Sequence, residues 1–89
     1  MIDFKQIIAK AFAEVVNIDE KELESYIEIP KDANNGDYAF PCFRLAKELK
    51  KAPPMIANDI KDKIQINEEM IEKVEVVGGY LNFYIQQEQ

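Results

Sequence analysis

Val74-Glu75-Val76-Val77, then Gly78-Gly79, then Tyr80-Leu81-Asn82-Phe83-Tyr84-Ile85 is the stretch on which the fold turns. Two runs rich in β-branched and aromatic residues flank a pair of glycines, and glycine supplies the positive φ that a tight hairpin turn demands. The stretch therefore reads as an antiparallel hairpin closing the chain. Upstream of it, Pro53-Pro54 opens a helix with Ile56, Ala57, Ile60 and Ile64 on its inner side, and Gln65-Ile66-Asn67 links that helix to the hairpin.

Further back, Pro41 suits the first position of another helix, where its missing N–H costs nothing. Cys42, Leu45, Ala46 and Leu49 make the buried stripe of that helix, and Arg44, Lys47, Lys50 and Lys51 populate its other faces. At the N-terminal end, Phe4, Ile7, Ile8, Ala11, Phe12 and Val15 recur at three- and four-residue steps, which predicts an amphipathic helix stopping near Asn17. Asp19-Glu20-Lys21-Glu22 reads as a polar connection. Ser25-Tyr26-Ile27-Glu28-Ile29 alternates with period two and predicts a half-buried strand, Ile27 and Ile29 inward, ended by Pro30. Tyr38-Ala39-Phe40 is a short extended piece able to pair with it. The expected fold class is α/β (α+β): one domain over residues 1–89, a two-layer sandwich in the order α-β-β-α-(α)-β-β, with a four-stranded sheet and helices on one face.

The 89 residues suffice for one small domain, whose stability should lie low in the usual range of roughly 5–15 kcal/mol. No apolar run approaches a membrane span, and Asp3 stands where a signal peptide carries basic residues, so a soluble, cytoplasmic monomer is expected. Catalysis finds little support. Histidine is absent, and Cys42 stands on an apolar stripe with no base beside it, as a packed core thiol does. The glycines lack P-loop spacing, and the pairs Asp19-Glu20 and Glu68-Glu69 read as solvated helix ends rather than metal ligands.

The net charge of −6 opposes a nucleic-acid partner, but it is unevenly spread. Residues 1–30 carry three lysines against seven carboxylates, and residues 52–89 the same, while residues 31–51 carry five basic residues against three acidic ones. That middle segment contains Pro30-Lys31-Asp32-Ala33-Asn34-Asn35-Gly36-Asp37-Tyr38. Two readings of it are open. One is a plain turn, since these are turn-forming residues. The other is an RNA-reading loop, because amide side chains donate and accept along a base edge and Tyr38 and Phe40 offer stacking faces. Tyr38 and Phe40 share a face of the strand, so one or both also fit the core. Arg44, Lys47 and Lys51 lie at helical spacing as one ridge, either a solvated face or a phosphate-contacting one beside the turn.

Pro30-Lys31-Asp32-Ala33-Asn34-Asn35-Gly36-Asp37-Tyr38-Ala39 resembles the Pro-Lys…Gly-Asp-Tyr signature of the arginyl-tRNA synthetase N-terminal domain. Leu45-Ala46-Lys47 with Ala52-Pro53, and Val74-Glu75-Val76 with Gly79-Tyr80-Leu81-Asn82-Phe83, are similar to two further blocks of that family, in the same order. The resemblance implies a domain that touches the D-loop of arginine tRNA, attached to catalytic and anticodon-binding domains in a longer chain. It implies that the parent ligates arginine to tRNA with ATP and magnesium, that this domain itself holds no cofactor, and that the chain is a fragment ending just after its last strand. Family positions around an extruded D-loop base fall at Asn35, Tyr38 and Phe40, with Phe40 standing where an amide is expected. Together with the turn and the ridge, the candidate RNA-binding residues are Asn34, Asn35, Gly36, Asp37, Tyr38, Phe40, Arg44, Lys47 and Lys51. The competing reading is a small acidic protein-interaction domain that binds no nucleic acid, which the net charge favours.

Overall fold

In the computed structural model, which describes residues 2–86, Asp3 starts the first helix by accepting a hydrogen bond from the Gln6 N–H at 3.2 Å. Helix α1 then runs over Phe4–Ala13 and buries Ile8, Ala9, Ala11 and Phe12, the stripe its spacing predicts. Met1 and the expected tail at residues 87–89 lie outside the described residues.

The next segment departs from expectation. Asp19 caps a second helix, α2 over Glu20–Tyr26, by accepting from the N–H groups of Lys21 and Glu22 at 3.0 and 3.3 Å. Glu20 and Glu22 place negative charge in its first turn, where the helix dipole favours it. What reads as a polar connection and the start of a strand is thus one short helix, turned inward by Leu23. The extended piece that remains is too short for a strand. Ile27 is buried, but Ile29 is 66% exposed, and Glu28 makes an isolated bridge to Ala39 through two 2.8 Å backbone hydrogen bonds.

The sheet among the described residues therefore has three strands rather than four: β1 over Tyr38–Pro41, β2 over Ile71–Val77 and β3 over Tyr80–Ile85, antiparallel in the order β1-β3-β2. β1 pairs with the last strand, Tyr38 opposite Phe83 and Phe40 opposite Leu81, and touches its sequence neighbour only at the Glu28 bridge. The β2–β3 hairpin turns at Gly78, φ +60°, as its glycines predict. A register shift between Ile71 and Lys73 inserts one extra residue in β2. Without that bulge Ile71 would alternate to the outer face; with it, Ile71 is 1% exposed in the core.

The expected Cys42–Lys51 helix is broken as well. Pro41 ends β1, Cys42–Leu45 is a 3-10 turn, and helix α3 covers only Ala46–Leu49 before Lys50 enters the left-handed region at φ +56°. Helix α4 over Pro53–Lys63 buries Ile56, Ala57 and Ile60, in agreement with its periodicity. No helix among the described residues is long and apolar enough to cross a membrane.

Phe12 joins the two layers. Its ring stacks on Phe40 at 4.1 Å between centres, 19° from parallel, and meets Phe83 at 5.9 Å. Leu23, Leu45, Ile56, Ile60 and Leu81 complete the cluster. Truncating Phe12→Ala should cost about 3–5 kcal/mol. In a domain this small, urea denaturation should show most of the stability gone. Burial also pushes the Cys42 thiol up to about 12, so only roughly one thiol in ten thousand is ionised at pH 8. Ellman's reagent should label Cys42 at the rate of unfolding, and prompt labelling of the native protein would contradict this packing.

Candidate nucleic-acid interface

Strand alternation gives the sheet two unlike faces. Tyr38, Phe40, Val74, Val76, Leu81 and Phe83 share the helix side, while Ala39, Pro41, Glu75, Val77, Tyr80, Asn82 and Tyr84 share the other. Across that outer face one row of directly opposed residues reads Glu28, Ala39, Asn82, Glu75. The methyl of Ala39 leaves room between the longer side chains on either side of it.

A loop covers part of this face. Asp32 accepts the Asn34 N–H at 2.9 Å and starts a 3-10 turn over Ala33–Asn35. Gly36 follows at φ +93°, and a Cβ there would come within 2.8 Å of the Phe83 carbonyl oxygen. Asp37 then clips the loop to β3: its N–H donates to Phe83 O at 2.9 Å, and its carboxylate accepts from the Ile85 N–H at 2.8 Å. The Tyr84 hydroxyl lies 2.7 Å from the Asn34 carbonyl and 3.1 Å from the Glu75 carboxylate, bracing the loop from below. Lys73, then the Tyr84 hydroxyl, hold the Glu75 carboxyl below the usual carboxylate range, and burial ahead of Glu75 pushes the Tyr84 hydroxyl up.

Between loop and sheet lies an open cavity of about 320 Å³. Ala39 and Asn82 line it from the sheet, Val77 and Tyr80 toward the hairpin tip, and Glu28, Pro30, Lys31, Asp32 and Asn35 along the loop. Asn82 is 2% exposed, yet its amide makes no hydrogen bond to any described residue and its polar atoms open onto the cavity. The cavity rim carries two carboxylates against one lysine, which disfavours a phosphate and suits a neutral, planar ligand with hydrogen-bonding edges.

The residues expected from sequence are divided by the fold. Asn35 lines the cavity, and Asn34 stands exposed beside it with its carbonyl on Tyr84. Gly36 and Asp37 build the loop. Tyr38 is on the opposite face, half-buried, its ring 6.2 Å from Phe4, in a groove with Ile29 and Ile85. Phe40 is fully enclosed between Phe12 and Tyr26, so its ring has no face to offer a base.

The basic ridge does not form, because the helix that would align it is interrupted. The Arg44 guanidinium sits 5.2 Å over the Tyr26 ring. Lys51 is paired with Asp59 of α4 at 2.7 Å and holds that carboxyl below the usual range. Lys47 is exposed and makes no ion pair among the described residues. Sequence reading missed Tyr80 and Asn82 as site residues. The available signal was an asparagine inside a β-rich run, on the face opposite its apolar neighbours. No group of three or more His, Cys, Asp or Glu side chains able to hold a metal occurs among the described residues.

Residues 3–85 match the profile of the family described as the arginyl tRNA synthetase N terminal domain. The chain is 45% identical over 84 residues to the arginine–tRNA ligase of Clostridium perfringens, covering 94% of this chain and 14% of that enzyme. It is 45% identical over 86 residues to that of Alkaliphilus metalliredigens, covering 96% of this chain and 15% of that enzyme. It thus spans about one-seventh of these relatives. The solved Thermus thermophilus arginyl-tRNA synthetase superposes with a TM-score of 0.69 at 35% identity, over 93% of this chain and 13% of that one.

Substituting Gly36→Ala should destabilise the domain by about 1–3 kcal/mol, since a left-handed φ and a backbone oxygen both oppose the new methyl. Urea denaturation beside Gly78→Ala, which has a positive φ but open space, separates the two causes.

Proposed function

The chain belongs to the family of arginyl-tRNA synthetase N-terminal domains, and on that premise we propose that it is a tRNA-contacting domain holding one unpaired D-loop base of arginine tRNA over Asn82. In this reading the parent ligates arginine to tRNA with ATP and magnesium, and its catalytic and anticodon-binding domains lie elsewhere in the longer chain.

The observation that carries the proposal is the Asn82 amide, which opens onto the floor of the cavity and makes no hydrogen bond to any described residue. An amide donates and accepts at once along a base edge, so an inserted base supplies the hydrogen bonds that the protein does not. Tyr80 gives the base an aromatic wall, and the Asn35 side chain reaches the same cavity from the loop. Gly36 and Asp37 set the height of that loop above the sheet, and Tyr38 and Phe40 act from the core side by fixing β1. Phosphates stay outside the cavity, within reach of Lys31 on its rim and of the exposed Lys47, neither of which makes an ion pair among the described residues.

The acidic interaction-domain reading keeps one observation: Ile29, 66% exposed beside the Phe4–Tyr38–Ile85 groove. It requires protein binding that is flat with salt and intact in Asn82→Ala.

Fluorescence anisotropy with unmodified arginine tRNA at low salt decides between them. Asn82→Ala should weaken binding about 10-fold, the effect of losing roughly 1–2 kcal/mol of base contact. The slope of log affinity on log salt should be shallow, roughly −1 to −2, for about one or two neutralised phosphates. Unchanged tRNA affinity in a folded Asn82→Ala variant would sink the cavity reading.

A further inference from the structure

From the shelf beside the cavity we infer a second nucleotide subsite, in which the exposed ring of Phe43 stacks on the base next to the one held over Asn82. This inference rests on the cavity reading and adds a residue to it.

Phe43 lies in the 3-10 turn Cys42–Leu45. With three residues per turn, Cys42 and Leu45 eclipse one another on the inner side, and both are 0% exposed. Phe43 is thereby turned outward and is 49% exposed. It is not a stray surface aromatic. Its ring centre is 6.0 Å from that of Tyr80, at 76°, and Tyr80 is the cavity wall. Tyr80 in turn sits opposite Val77, itself 46% exposed, so Phe43, Tyr80 and Val77 form one continuous apolar shelf at the mouth. The shelf is held in place by the Cys42 N–H, which donates to the Gly79 carbonyl at 2.9 Å and ties the turn to the hairpin tip.

In an edge-to-face pair one ring presents its rim to the face of the other. Whichever ring does so here, at least one face of Phe43 remains uncovered by Tyr80, in keeping with its exposure. A strand that drops one base onto Asn82 runs past Tyr80 as it leaves, and the neighbouring base meets that face within one sugar–phosphate step. Stacking on an aromatic ring accepts any base, so this subsite adds affinity without reading sequence. Lys47, four residues further along the chain, is exposed and makes no ion pair among the described residues, so it is free to meet a phosphate.

The test compares Phe43→Leu, Phe43→Trp and Asn82→Ala in the full chain, each first checked for wild-type urea stability. The probes are arginine tRNA transcripts, intact or abasic at single D-loop positions. Phe43→Leu keeps apolar packing and removes the π-face, so tRNA affinity should fall roughly 5- to 100-fold, while Phe43→Trp retains or improves it. The loss should vanish on a transcript abasic at one position, adjacent to the position whose removal silences Asn82→Ala.

Wild-type affinity in Phe43→Leu alongside a weakened Asn82→Ala would overturn the second subsite and leave the cavity reading intact, the shelf then being free for protein contact. Equal losses in Phe43→Leu and Phe43→Trp would also overturn it. Loss in Phe43→Leu with Asn82→Ala unaffected would instead remove the cavity reading and keep Phe43 as a stacking face.

Discussion

Gly36 and Asp37 hold a surface loop against the end of β3, and the outer face of the domain depends on that attachment. The Asp37 N–H and carboxylate bond to Phe83 and Ile85, two residues apart on one strand, while Gly36 passes so close to the Phe83 carbonyl that no side chain fits between. A longer side chain at Gly36 would lift the loop. Without the Asp37 carboxylate its anchorage on β3 would be halved. Either change would open the cavity between Asn35 and Asn82 into plain surface. Gly36 and Asp37 thus shape the cavity without lining it.

That container borders the core but is built on different principles. On the helix side, Phe12, Phe40 and Phe83 sit within a core of buried apolar side chains whose removal from water drives folding. On the outer side, the Asn82 amide opens onto the cavity and makes no hydrogen bond to any described residue. The two faces belong to the same strands, so the core and the cavity are coupled through β1 and β3. Phe40 and Ala39 are neighbours in sequence, one at the centre of the core and the other on the floor of the cavity. Charge is likewise handled locally. In a chain of net charge −6, Lys31 and Lys47 make no ion pair among the described residues, while Arg44 lies over the Tyr26 ring and Lys51 pairs with Asp59.

Much of the fold was legible residue by residue. The first and last helices and the closing hairpin follow from periodicity and from the glycine pair, because in those segments local pattern and tertiary demand agree. The segment after Asp19 is ambiguous in sequence because seven residues are too few to separate a 3.6 period from a period of two. The deciding signals are the Asp19 cap and the burial of Leu23. The helix expected from Pro41 failed for a related reason. The pairing of Pro41 with Tyr80 carries β1 one residue further, and the chain then turns too tightly for a regular helix. The ridge of Arg44, Lys47 and Lys51 dissolved with it, since helical spacing aligns side chains only on an unbroken helix.

By itself, then, the sequence determined a small α/β domain with a closing hairpin, a core thiol and a turn rich in amides, and its motif order identified the family. Those properties depend on residues close together along the chain, or on a pattern of types. Only the tertiary structure decided that Tyr38 and Phe40 face away from Asn35, that Asn82 sits beneath it, and that Phe43 stands next to Tyr80. The reason is the pairing of β1 with β3, whose partners lie 39 to 45 residues apart in sequence. Which side of a strand becomes a floor is set by its partner and by what covers it, and neither is written in the strand's own residues.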